Sequence, residues 1–257
     1  MRITVCELPD DRDDFERAWE GLTDHARTEA SDIVLLPEMP FHCWLMADRE
    51  PDIALWDAAV ADHDRWEGRL GELAPAAVLG SRPITREGRR FNEGFIHEPG
   101  TGYRGVHLKN YLPDEEGFWE ATWYERGPGE FAVTPLKEAA IGFQICTDLW
   151  FLEHAREMGR SGAQLIAVPR ATPAATIPKW LTGGAVAAVV SGAFTLSSNR
   201  VAPPGSGVDL GGCGWICDPE GVMLAITSPE LPWLTIEVDP GEADRAKKTY
   251  PRYVPGF

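Results

Sequence analysis

No apolar run in the 257 residues approaches the roughly 20 needed to cross a bilayer, so no membrane-spanning helix is expected. The N-terminus lacks a basic start followed by an apolar core. Residues 1–9 instead enter an alternating strand pattern directly, and no signal peptide is expected. Positive charge is scarce: 24 Lys and Arg stand against 40 Asp and Glu, a formal net charge of -16. Such a surface repels phosphate backbones and anionic lipid, which argues against nucleic-acid and membrane-surface partners. Paired cysteines are also missing. The five are Cys6, Cys43, Cys146, Cys213 and Cys217, with no repeated metal-type spacing. Reduced thiols in a cytoplasmic protein are the simplest account, and neither a metal nor a cofactor is expected. No repeat or low-complexity tract interrupts the chain, and its one Pro/Gly-rich break, at 202–207, is too short for an interdomain linker.

What is present is a chain with 44% hydrophobic residues, enough for one large α/β domain spanning 1–257. Short apolar runs alternate with helical patterns. Strands are predicted at 2–8, 32–36, 76–81, 90–97 and 102–108, with a hairpin from 131–136 and 139–145. A continuous apolar strand is predicted at 163–168, stopping at Pro169, and further strands at 193–199, 213–218, 222–227 and 233–238. Helices are predicted at 11–29, 53–73, 151–160 and 180–192. Crossovers mixed with hairpins imply two mixed sheets with helices outside, a four-layer α-β-β-α sandwich.

Three segments end an apolar run on a reactive group. In Gln-Ile-Cys-Thr-Asp-Leu-Trp-Phe (144–151) a strand stops at Cys146 and a helix-like segment follows. That junction exposes a side chain, aims backbone N–H groups at whatever bonds to it, and predicts a thiol pKa lowered by the helix N-terminus. Leu-Leu-Pro-Glu (35–38) ends on Glu38, and His-Leu-Lys-Asn-Tyr-Leu-Pro (107–113) carries Lys109. Each also has a plainer reading: a small buried hydrophobe for Cys146, a helix-start residue for Glu38, a solvated loop charge for Lys109.

Together and in this order, these segments resemble the nitrilase superfamily, the carbon-nitrogen hydrolases, across nearly the whole chain. The late segments Ser-Asn-Arg-Val (198–201) and Gly-Gly-Cys-Gly-Trp-Ile-Cys-Asp-Pro-Glu-Gly (211–221) are similar to its closing strands. The resemblance implies the same sandwich and a Glu-Lys-Cys triad of Glu38, Lys109 and Cys146. Two registers compete for the lysine. Reading from His107-Leu108 puts Gly105 at the catalytic position, whereas starting at Lys109 places Leu112-Pro113, Phe118 and a supporting Glu120 as the family does. We favour Lys109. Glu115 and Glu116 are competitors for the role of Glu120. Tyr111 stands where the family usually has His, and Leu152 replaces the common Pro.

In the implied chemistry, Glu38 moves the protons, while Lys109 and the backbone N–H of Thr147 hold the oxyanion. Trp44, Trp119, Trp123 and Trp150 are candidates for an aromatic pocket, though such residues also pack cores. Arg170 is a candidate for a substrate carboxylate, as in an N-carbamoyl amino acid, or for a plain salt bridge. The expected substrate is a linear amide or N-carbamoyl compound. Nitrile hydrolysis, acyl transfer on the same triad and a non-catalytic binding member are the alternatives. Family behaviour and the small apolar stretch 185–190 suggest a homodimer or larger assembly.

Overall fold

The computed structural model describes residues 1–202, 205 and 207–254, so part of the Pro/Gly-rich break lies outside the described residues. In chain order the elements are β1 (Arg2–Pro9), α1 (Arg12–Thr28), β2 (Ile33–Leu35), α2 (Ile53–Glu67), β3 (Ala77–Arg86), β4 (Arg89–Glu98) and β5 (Gly102–Leu108). A short α3 (Glu120–Trp123) precedes β6 (Thr134–Leu136), β7 (Ala139–Phe143), α4 (Leu152–Arg160) and β8 (Leu165–Arg170). Then come α5 (Ile177–Ser191), β9 (Phe194–Ala202), β10 (Leu210–Gly211), β11 (Trp215–Cys217), β12 (Met223–Ile226), β13 (Trp233–Glu237) and α6 (Pro240–Ala246).

Period-two alternation sorts the strands into faces. Ile33 and Leu35 of β2 join Leu79, Phe143, Leu165 and Leu196 in a core between the two half-sheets. Val34 and Leu36 point the other way, onto Phe15, Trp19 and Leu22 of α1. Ile166 and Val168 of β8 likewise meet Ala155, Met158 and Ala187 on α4 and α5. The result is the α-β-β-α sandwich.

The half-sheets run in the order β5-β4-β3-β2-β1-β9-β8-β7-β6, and β1 is the seam. Its residues 3–5 pair parallel with β2, and residues 2–6 pair antiparallel with β13. Its last residues, Glu7 to Pro9, cross to the other half and pair parallel with Asn199 to Val201 of β9. The ends of β2, β5, β7 and β8 therefore open toward one region.

Several predicted boundaries move, and three have a clear physical reason. The β3–β4 hairpin is longer than expected because Glu87 and Gly88, both with positive φ (53° and 75°), close a two-residue turn between exposed strand ends. The helix predicted to reach residue 73 stops at Glu67, and Leu70–Leu73 forms a separate 3-10 turn. Strand β8 runs through Pro169 to Arg170, since β7 ends opposite Ala167 and the missing proline N–H leaves no ladder position vacant on that side. Among the described residues no helix is long and apolar enough to cross a membrane.

Candidate active site

Cys146 begins a 3-10 turn, Cys146–Trp150, just past β7, and its φ of 48° lies in the left-handed region. A non-glycine there costs roughly 1–3 kcal/mol, so surrounding bonds must hold it. The buried Asp148 carboxylate does so. It accepts from the Ile145 N–H at 3.2 Å, from the Asn110 and Tyr111 N–H groups at 3.1 and 2.9 Å, and from His107 Nε2 at 2.9 Å. One side chain thus ties the thiol turn to the segment leaving Lys109. Tyr111 stacks on Phe151, and its hydroxyl lies 2.8 Å from His154 Nε2.

Lys109, fully buried, donates to Glu38 Oε1 at 2.7 Å and to Glu120 Oε2 at 2.5 Å. Asn92 Nδ2 also donates to Glu38 Oε1, at 2.8 Å, and the Tyr124 hydroxyl donates to Glu120 Oε2. Among the described residues, Glu38 Oε2 and Glu120 Oε1 are buried without a partner. The turn after β2 that carries Glu38 is pinned by Arg200, which donates to the Met39 carbonyl at 2.5 Å. Gly105, the rival to Lys109, lies in β5 against the Glu93 carboxylate. Glu115 and Glu116 are exposed, so Glu120 alone of the three partners the lysine.

Burial works against the Lys109 ammonium, but Glu120 and Glu38 outweigh it and hold the group well above the usual lysine range. Burial, followed by repulsion from Glu38 against the pull of Lys109, pushes Glu120 up to about 7. The thiol departs from expectation: burial, then the Glu38 charge, drives Cys146 far upward, overriding Lys109 and the Ala171 N–H. A helix-terminus argument treats the sulfur as exposed, whereas here it is 3% exposed. Cys146 is therefore a neutral thiol at neutral pH.

Above the cluster opens a cleft of about 460 Å³, walled by Cys146, Thr147 and Trp150, by Trp180 and Lys179 of α5, and by the 113–120 loop. Glu120 reaches it, and Glu38 and Lys109 sit beneath. Of the sequence-predicted contacts only Trp150 faces the cleft, 43% exposed and 5.0 Å from Trp180 between ring centroids. Trp44 is buried and donates to the Gly117 carbonyl, and Trp119 lies under Arg49. Arg170 is buried below the floor, donating to Ser197 Oγ, Thr172 Oγ1 and the Cys213 carbonyl, without a salt bridge among the described residues. Asn92, Tyr124 and Trp180 went unrecognised in the sequence. The one available signal was Tyr124 standing one helical turn after Glu120. All five cysteines are free, and among the described residues no group of three His, Cys, Asp or Glu side chains is placed to hold a metal ion.

The carbon-nitrogen hydrolase family profile matches residues 2–248, and the chain belongs to that family, within the nitrilase superfamily. It is 27% identical over 177 residues to a citrullinase of Francisella tularensis, which covers 66% of this chain and 61% of that protein. With an N-carbamoylputrescine amidase of Solanum tuberosum it shares 39% over 67 residues, 26% of this chain and 22% of the other. The matches thus span less than two thirds of these relatives. A carbon-nitrogen hydrolase from Helicobacter pylori G27 superposes with a TM-score of 0.86 at 20% identity, covering 98% and 94% of the two chains. At that identity the likeness shows the fold.

Proposed function

We propose that this protein hydrolyses a non-peptide C–N bond of a linear amide or N-carbamoyl compound through a thioester on Cys146, releasing ammonia or an amine. One observation carries the reading. A bare carboxylate oxygen, Glu38 Oε2, is buried in the same cluster as a thiol that burial keeps neutral. Such a thiol needs a base that takes its proton as it attacks.

In the first step Sγ bonds to the carbonyl carbon while Glu38 accepts the thiol proton. Lys109, held charged by two carboxylates, and the Thr147 N–H at the cleft wall stabilise the oxyanion, and each such donor is worth about 3 kcal/mol of barrier. Glu38 then protonates the leaving nitrogen as the C–N bond breaks. Water, deprotonated by Glu38, finally cleaves the thioester. Glu120 keeps Lys109 oriented. Trp150 and Trp180 give the substrate an aromatic wall. We assign Arg170 no substrate contact, because its donors are engaged below the floor. The relatives' names, a citrullinase and an N-carbamoylputrescine amidase, favour a carbamoyl group. The same reading takes the protein as a cytoplasmic homo-oligomer, with exposed Leu224 and Ile226 on β12 as contact candidates.

The test is ammonia release from a panel of primary amides, N-carbamoyl amines, N-carbamoyl amino acids and nitriles. Turnover abolished by Cys146→Ala, with an acyl adduct on Cys146 seen by intact mass, supports the reading. Silence across the panel refutes it in favour of a binding protein.

A further inference from the structure

Glu120, Lys109, Glu38, Asn92 and Tyr124 form a closed loop of contacts. Lys109 bridges the two carboxylates at 2.7 and 2.5 Å. Asn92 Nδ2 reaches Glu38 Oε1 at 2.8 Å and the Tyr124 hydroxyl at 3.5 Å, the longest and weakest link. The hydroxyl closes the loop on Glu120 Oε2. Every donor in it lands on one oxygen of each carboxylate, so the other oxygen of each stays unpartnered.

Building on the proposed hydrolysis, we infer that Tyr124 is a positioning residue: its hydroxyl fixes which oxygen of Glu120 pairs with Lys109 and which stays free, and favours the carboxylate's charged form. A hydrogen-bond donor to one oxygen favours the charged form and opposes rotation of the group. The tyrosine ring is buried, 3% exposed, at the end of α3, and a phenol placed there for packing alone would need no carboxylate. The hydroxyl reaches the Lys109 partner instead. Without it, Lys109 and Glu120 can settle in alternative pairings, and the carboxyl gains proton affinity. The arrangement thus acts through Glu120 and Lys109, not on the substrate itself.

Tyr124→Phe keeps the ring and removes only the hydroxyl. The readout is the rate at which iodoacetamide alkylates Cys146, followed by intact mass from about pH 5 to about pH 9 in both proteins. In that probe reaction Sγ displaces iodide from the methylene carbon while the thiol proton passes to Glu38. We expect the acid limb of the profile to move up by about one pH unit in the variant. With an amide that turns over, we expect kcat to fall about tenfold while KM changes less than about twofold. Superimposable profiles for the two proteins, even with a lower Tm in the variant, would reduce Tyr124 to packing and overturn the inference. A wild-type protein that neither turns over the panel nor alkylates at Cys146 would instead sink the hydrolase reading, and this inference with it.

Discussion

Replacing Lys109 with methionine removes the cation that bridges two buried carboxylates. Glu38 is 0% and Glu120 1% exposed, and Asn92 and Tyr124 are the donors that remain. Deleting one partner of a buried ion pair costs about 3–5 kcal/mol, a fall in Tm of roughly 10 °C for a chain of this size. The pH dependence is the sharper consequence. Two carboxylates this close cannot both ionise, so the native variant keeps a proton that the unfolded chain gives up near the ordinary glutamate pKa. Native protein binding more protons than unfolded makes stability fall as pH rises, by about 1.4 kcal/mol per pH unit. In the wild type this cluster releases its proton at about 7 through Glu120, and adds no slope above that. The Lys109 pairings persist through this range because the ammonium pKa is raised. Urea denaturation at about pH 8, 8.5 and 9 should therefore give a flat contribution for the wild type and a steadily falling midpoint for Lys109→Met. A variant whose deficit is constant across that range would refute the shared-proton argument.

Three other outcomes follow from the site and its supports. In the wild type kcat/KM should decline as pH drops through about 7, where Glu120 takes up its proton, and a profile flat to pH 5 would contradict that assignment. Asp148→Ala, which frees the Ile145, Asn110 and Tyr111 N–H groups and His107 together, should cost about 3 kcal/mol or more in urea unfolding and lower kcat. A Cβ on Gly184 would stand 2.3 Å from the Trp215 ring, so Gly184→Ala should lose about 1–3 kcal/mol, readable as a lower thermal midpoint.

Local chemistry was legible in the sequence where it depends on neighbours along the chain. Strand β5 has its predicted ends, and Asp11 caps α1 by accepting from the Asp13 and Asp14 N–H groups. Glu38, Lys109 and Cys146 each follow a strand whose end opens toward the same region, and Glu120, at the start of α3, is brought to Lys109 by the intervening loop. Proximity in sequence misled where side chains diverge. Trp44 and Trp119 flank site segments yet point into packing, and Arg170 ends β8 yet turns beneath the floor. Asn92 carries no local signal because its partners, Glu38 and Tyr124, lie 54 and 32 residues away, whereas Tyr124 stands only four residues from Glu120 and the motif gives no reason to pair them. The thiol pKa was misjudged for a related reason: burial is a property of the assembled sandwich, invisible to a local motif.

The division of β1 between two half-sheets has a consequence for biosynthesis. A ribosome delivers this strand well before its partners, so its flank at Glu7 to Pro9 has no mate until β9 emerges, and Arg2 to Cys6 lack one mate until β13. A nascent polypeptide stalled before residue 194 must therefore display an unsatisfied ribbon edge, a natural handhold for chaperones. Stalled-chain proteolysis should show the N-terminal segment gaining protection late in translation, when the closing strands have left the exit tunnel.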